Sequence, residues 1–475
     1  MRSAIPWASR ITVLVLLIWA HGMYAAQPAG IEIHPGNPFY WQFDGKPVLL
    51  LGGSTGPVPH RTTGTPGLEN DEGMFLWPDA IEALERLARV GGNYARCLMS
   101  GRVRGEPLWP FARTGGRYDL ERWDPDYWQR FETFLQRARE VGIVVHVEIW
   151  ATFDYGRAPW AANPFNPKNN INYTAESSGL PLADDVPHQN NSFYRTIPGS
   201  DHVPVVLGYQ QRFVEKILAH TLRHDHVLYC IDNETRQSAA WGAYWCRYVR
   251  DIAAKADRKV SVTEMYGSHD LRDPIHNNTI NHPELYDFVE AAQNNHQGGQ
   301  SHYDALQSVR ERIRAAPRPM NNVKIYGVDG GRFGTSKDAM ERFWRNLFAG
   351  CASARFHEKH LGGSEPALRM IKSAREVFSV FDVFHASPRN DLLSNREANE
   401  AYCLAAPPRQ YAVYFPASGE VQLDLREAKG GVELRWHSID GGGWMEAKQV
   451  QGEKPVGLAT PGAGQWAAVL RSGGK

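Results

Sequence analysis

The chain has 475 residues, more than one small domain needs and enough for a large domain with one accessory domain. Its 52 basic and 52 acidic side chains cancel, so no net charge draws it to nucleic acid or an anionic membrane. Five cysteines, none in a C-x-x-C pair, are too few for a disulfide scaffold; Cys97 and Cys230 lie in apolar runs as buried thiols, and a bridge between two of Cys246, Cys351 and Cys403 stays open.

Residues 1–26 read as a secretory signal: Arg2 and Arg10 precede an apolar run over 11–20, and Ala25-Ala26 offers small residues for cleavage. The run is short for a bilayer crossing, and no later stretch reaches the roughly 18 uninterrupted apolar residues of a span. A chain exported to a periplasm or beyond, without a membrane span, is expected.

Residues 31–44 read as a hairpin turning at Pro35-Gly36-Asn37, and 48–53 as a first strand. A helix over 79–90, with Ile81, Leu84, Leu87 and Ala88 on one face, leads to a second strand at 93–98. The alternation continues with helix 127–140, strand 143–150, helix 210–220 and strand 227–235. Helix 242–256, strand 259–264, strand 287–293, helix 303–315, strand 323–329, helix 337–349 and strand 351–357 complete it. Eight apolar runs alternating with helices predict a (β/α)8 TIM barrel over 27–386. Polar residues end most of the runs (Arg96, Glu148, Asp232, Glu234, Glu264, Gln293, Asp329, His357), which favours a barrel over a doubly wound sheet with one switch point. The insertion over 151–204 has no sustained period; its Asp154, Trp160, Phe165 and Tyr173 suggest a substrate wall, with a similar part for 54–77. Over 387–475, short alternating runs separated by glycines predict a small C-terminal antiparallel β-sandwich domain.

Strand four ends in Asp232-Asn233-Glu234, three polar side chains after five apolar or aromatic ones. Asn233-Glu234 in that place resembles the acid/base signature of the clan A glycoside hydrolases, which are retaining (β/α)8 enzymes. Asn37-Pro38-Phe39-Tyr40-Trp41, Gly91-Gly92-Asn93-Tyr94-Ala95-Arg96 and the 411–425 passage resemble the apiosidase-like branch, whose barrel precedes a small β domain of the collagen-binding type. The resemblance implies that Glu234 protonates the leaving oxygen and later activates water, while Asn233 binds the sugar 2-hydroxyl. It also implies a nucleophile at the end of strand seven. The clan carries Glu there; this chain has Asp329, one methylene shorter, so either the backbone compensates or Glu264 acts instead. Asp329 before Gly330-Gly331 is equally a turn signal.

Other candidates come from position. Arg96 either holds a catalytic carboxylate ionised or forms a structural ion pair. Glu148 and Trp150 share a face near the mouth, with His146 deeper and core-like. Tyr266, Gln293, Asn294, His296 and His357 are placed to meet sugar hydroxyls, and Arg332 and Arg355 to meet a substrate carboxylate. The 15 Trp and 19 Tyr suit sugar faces. No metal or cofactor is expected, because His357-Glu358-Lys359-His360 lacks the H-E-x-x-H spacing and His224-Asp225-His226 precedes its strand. The combined expectation is a secreted or periplasmic retaining glycoside hydrolase acting as a monomer on a polysaccharide or oligosaccharide. The alternatives are a non-catalytic carbohydrate-binding or adhesion protein and a metal-dependent hydrolase.

Overall fold

A computed structural model describes Met1 and residues 30–53, 74–101, 107–201, 203–327, 330–357 and 363–473. The signal segment, most of the 54–77 stretch, Asp329, and Glu358 to His360 lie outside the described residues.

Runs rich in Val, Leu and Ile, buried on both faces, form parallel strands between helices. These are β1 (Leu50–Gly53), β2 (Tyr94–Leu98), β3 (Val144–Ala151), β4 (Val227–Asn233), β5 (Ser261–Thr263), β6 (Val289–Glu290), β7 (Met320–Asn321) and β8 (Ser353–Phe356). Six pair in the order β5-β4-β3-β2-β1-β8, and β6 pairs with β7 separately. Ladder pairing does not close the two sets into one barrel. Backbone bonds outside the ladders cross the gaps: Asp287 N–H to Val262 O (2.9 Å) on one side, and Ala352 N–H to Met320 O (2.8 Å), Arg355 N–H to Asn322 O (3.0 Å), Ile325 N–H to Arg355 O (2.9 Å) and His357 N–H to Ile325 O (2.9 Å) on the other.

Helices α1 (Ala80–Arg89), α2 (Pro125–Glu140), α3 (Pro204–Thr221), α4 (Ala239–Lys255), α5 (Gly299–Arg312), α6 (Ser336–Phe348) and α7 (Glu365–Val380) accompany the strands. The start of α2 shows the local logic. Asp124 accepts the otherwise orphaned N–H groups of Asp126 and Tyr127, and Pro125 fills the first helical position, where no N–H is needed. Tyr127, Phe131, Phe134, Leu135 and Ala138 then fall on the buried face. Full burial of Phe131 or Leu135 contributes roughly 1.5–3 kcal/mol each.

Two strands depart from expectation. The sixth runs only over Val289–Glu290 before Ala292–His296 turns into a 3-10 helix. The seventh pairs earlier than 323–329, at Met320–Asn321, with one later bridge between Ile325 and Phe356. Side chains replace its missing ladder bonds: Glu290 Oε1 accepts from Val323 N–H (3.0 Å), Asn295 Oδ1 accepts from Tyr326 N–H (3.1 Å), and Arg355 Nη1 donates to Val323 O (3.0 Å). A period-two pattern cannot anticipate such side-chain substitution.

The insertion is packed by its own side chains. Trp160, Phe165 and Tyr173 are buried, Tyr155 stacks on Phe193 at 4.0 Å, and Asn163 and Asn170 donate to the backbone at Asp154 and Pro164. These aromatics form the insertion's core, not a substrate wall. At the opposite side of the chain order, the antiparallel hairpin Trp41–Phe43/Lys46–Val48 sends Trp41 into the interior, where its Nε1 donates to Asn321 Oδ1 at 2.9 Å.

The C-terminal region forms two antiparallel sheets of six and three strands. In Tyr402–Ala406 and Gln410–Phe415 alternate residues divide: Tyr402, Leu404, Ala412 and Tyr414 join the main core, while Cys403, Tyr411, Val413 and Phe415 face the second sheet. Trp344 of α6 stacks on Tyr414 at 5.7 Å, so this sheet covers the α6 surface. All five cysteines are buried free thiols, which removes the possible bridge. Among the described residues no helix is long and apolar enough to cross a membrane.

Candidate functional site

Glu234 follows β4 directly and takes left-handed backbone, φ 58°, unusual for a residue with a side chain. The chain then bonds sideways to the extension of β5, through Thr235 N–H to Met265 O and Gly267 N–H to Thr235 O, both 2.8 Å. A Cβ on Gly267 would lie 2.8 Å from Glu234 O, so only glycine fits beside this turn. Strain of this kind costs about 1–3 kcal/mol and marks a position held in place by its surroundings.

The Glu234 carboxylate forms an ion pair with Lys324, whose Nζ also donates to Asn233 Oδ1 at 2.8 Å. The Lys324 side chain is 1% exposed and that of Glu234 19%, so the pair lies at the inner edge of a mouth. Burial raises the Glu234 pKa, but Lys324, then Gln293 and Arg96, outweigh it and hold the carboxyl down at about 2. Glu234 is an ionised carboxylate in this arrangement.

Beneath it runs a polar column. Arg96 grips Glu148 with two 2.7 Å bonds, Nε to Oε1 and Nη2 to Oε2, both residues buried. Tyr94 OH bonds His146 Nδ1 (2.8 Å) and accepts from Asn321 Nδ2 (3.1 Å), which leads to Trp41. Burial, then the cations Arg96, Arg355 and Lys324, keep His146 well below its usual pKa and neutral. Glu290 accepts two backbone N–H groups on Oε1, and burial pushes it up to about 8.

A wall of rings borders Glu234. His269 stacks on His296 at 3.6 Å, His296 meets Phe333 edge-on at 4.9 Å, Phe333 stacks on Tyr326 at 4.6 Å, and Tyr326 stacks on His357 at 4.5 Å. Apolar faces with polar edges are what a sugar ring stacks on. On the opposite insertion, burial, then Arg157 and Arg236, hold His188 below its usual range against the pull of Glu234.

The structure therefore brings together Glu234, Asn233, Arg96, Glu148, Gln293, His296, Arg332 and His357, with Arg332 exposed and lying over Phe333 at 4.6 Å. It does not bring the others. Beyond a skipped pairing at Ile149 and Ile231, Trp150 packs between Phe213 of α3 and Trp241 and Trp245 of α4, fully buried among helices instead of near the mouth. Glu264 faces α4: its Oε2 would lie 2.3 Å from a Cβ on Gly242, so the missing side chain makes its room. Burial, then neighbouring Asp232, raise Glu264 well above the carboxylate range, and burial lifts Asp232 to about 8 even though Thr152 Oγ1 donates to it at 2.5 Å. Tyr266 is buried, Asn294 donates to His302 O (2.8 Å), and Arg355 lies inside the strands. Asp329 is outside the described residues.

Lys324, Glu290, His188, His269, Tyr326 and Phe333 were absent from the sequence candidates. Lys324 had a signal: a lone charge inside the apolar run Val323-Lys324-Ile325-Tyr326. Among the described residues no group of three or more His, Cys, Asp or Glu is arranged to hold a metal ion.

The family described as Domain of unknown function (DUF6298) matches residues 109–322. Among curated proteins, none matches the sequence. Of solved structures, a glycoside hydrolase family 5 from Bacteroides vulgatus ATCC 8482 superimposes with a TM-score of 0.60 at 12% identity, over 94% of this chain and 95% of that one. Another, described as a glycoside hydrolase, gives a TM-score of 0.62 at 12% identity, over 94% and 98% of the two chains. At such identity the likeness is one of fold.

Proposed function

We propose that the chain is an exported, retaining glycoside hydrolase on a (β/α)8 barrel, cleaving a polysaccharide or oligosaccharide by double displacement. The observation that carries this reading is Glu234, an ionised carboxylate on strained backbone at the end of β4, beside Asn233 and a wall of stacked rings. The shared fold with structures described as glycoside hydrolases supports it.

In this reading Asp329 attacks the anomeric carbon as the glycosidic C–O bond breaks, and the leaving oxygen takes a proton from Glu234. Water then attacks the same carbon, Glu234 takes its proton, and Asp329 is released. Asn233 holds the 2-hydroxyl. The resting ion pair equips Glu234 for the second step, where a base is needed. For the first step Lys324 must leave it, a sugar oxygen accepting from the ammonium providing the exchange, and the freed carboxylate must take a proton from solvent before it can give one to the leaving oxygen. Glu234→Gln tests this: hydrolysis across a glycoside panel disappears while circular dichroism stays native, even though loss of the Lys324 ion pair lowers the melting temperature. Unchanged hydrolysis overturns the role.

The ionised state of Glu234 favours a second reading, in which it is the nucleophile. A 2-deoxy-2-fluoro glycoside that arrests the covalent intermediate decides by peptide mass: a label on Asp329 supports the first reading, a label on Glu234 the second. Residues 1–26 act as the export signal, and residues 387–475 buttress the barrel.

A further inference from the structure

Among the described residues the charge around Glu234 does not balance, and the Asp329 of the hydrolase reading offsets only one further cation. Lys324 offsets Glu234. Three arginines remain, Arg157, Arg236 and Arg332, all exposed and none with a carboxylate partner among the described residues. They come from three separate loops, after β3, β4 and β7, that meet beside Glu234. Gly156 packs against the His188 backbone, and Gln237 Nε2 donates to His188 O at 3.4 Å. Arg332 lies over Phe333 at 4.6 Å, whose ring meets His296 and, through it, His269. Arg157 and Arg236 act on His188, Arg236 and Arg332 act on His269, Arg332 acts on His296, and the Glu234 carboxylate acts on all three imidazoles. Of the acids that follow Gly267 beside the Glu234 turn, Asp270 pairs with Arg272 (2.8 Å) and Asp273 accepts from Ser268 (2.7 Å). The histidines between the arginines are held below their usual range, burial acting first, so they add no compensating charge of either sign near neutrality. Arginine forks held around a mouth without partners suit planar or tetrahedral oxyanions, which they bind bidentately.

We infer that the glycan taken by this site is anionic, its carboxylate or sulfate groups received by Arg157, Arg236 and Arg332 around Glu234. The inference names a substrate class and rests on the hydrolase reading above. Like-signed loops also raise the encounter rate with a polyanionic chain and make binding salt-dependent.

Titration calorimetry of the full-length Glu234→Gln variant tests it, with uronate oligosaccharides, their carboxyl-reduced neutral counterparts and sulfated galactan oligosaccharides as probes. One charged class binds at least tenfold more tightly than the neutral class at 50 mM salt, and the gap narrows at 500 mM. Which charged class binds distinguishes carboxylate from sulfate. Adding Arg236→Ala and Arg332→Ala removes at least tenfold of the charged binding and leaves melting unchanged, since both side chains are exposed. Equal binding of neutral and charged probes, or no binding of any, overturns the inference. Selective charged binding by a wild-type protein that cleaves no glycan sinks the hydrolase reading alone. Cleavage of neutral glycans as fast as charged ones sinks this inference alone.

Discussion

Lys324 Nζ lies between Glu234 and Asn233 Oδ1, so one buried ammonium serves both polar residues at the tip of β4. It arrives from the chain after β7, across the mouth. The charge state of Glu234 is therefore set by a residue 90 positions away in sequence, not by the strand that carries it.

Removing that ammonium changes how stability depends on pH. The folded pKa of Glu234 lies below its ordinary 4.5, so its contribution is complete above that value and is lost as pH falls toward about 2. The contribution is at most on the order of 3 kcal/mol. Urea midpoints of the wild type fall across that window, and those of Lys324→Met do not, because burial then favours the protonated acid. Parallel profiles for the two proteins would remove Lys324 as the cause.

Glu290 acts in the opposite sense. Its folded pKa, about 8, lies above the ordinary 4.5, so stability is complete below that value and declines as pH rises through 8. Asp232, also about 8, adds to the same decline. Glu290→Gln keeps an oxygen for the N–H groups of Ala292 and Val323 and flattens the loss between pH 5 and 9 in part. A variant as pH-sensitive as the wild type would show that Glu290 is ionised throughout.

The Arg96–Glu148 fork is buried on both sides, so the partners depend on each other. Arg96→Met leaves a buried carboxylate and costs about 3–5 kcal/mol. Adding Glu148→Met recovers part of that loss. A double-mutant cycle with no coupling energy would contradict the pairing.

Under the proposed hydrolase reading, the stacked rings beside Glu234 bind sugar without reacting. Phe333→Ala raises KM by roughly three- to tenfold, the worth of one aromatic stack, and leaves kcat near the wild-type value. A fall in kcat at constant KM would place Phe333 in the chemistry instead.

Truncation before residue 387 uncovers Trp344, Phe348 and Phe378, which pack toward Tyr414. Soluble yield is lost first. Within the full chain, Trp344→Ala costs about 3–5 kcal/mol in unfolding measurements. A truncated protein that stays soluble with a native melting curve would show that the C-terminal sheets do not buttress the parallel strands and their helices.

Much of the architecture is legible in the amino-acid order, because β3 and β4 are uninterrupted apolar runs and α2 carries its own cap and stop. The tip of β4 is legible for the same reason: Asn233 and Glu234 break an apolar run where a strand must end. Strand seven is not, since its backbone is held by the side chains of Glu290, Asn295 and Arg355, contacts between residues far apart in the chain. Trp150 and Glu264 mislead for a related reason. Period-two counting places Trp150 near the mouth and the end of an apolar run places Glu264 there, but helix-layer neighbours, the α4 aromatics for one and the gap at Gly242 for the other, draw them outward.

Trp41 carries a consequence for synthesis. Its indole partner, Asn321, is made 280 residues later, and Asn37 bonds Phe384 O across 347 positions. While the chain is emerging from a ribosome, the hairpin that seats the lower end of the polar column has nothing to seat against. The interior can be completed only when β7 has been translated, so this early hairpin is among the last segments to find its place.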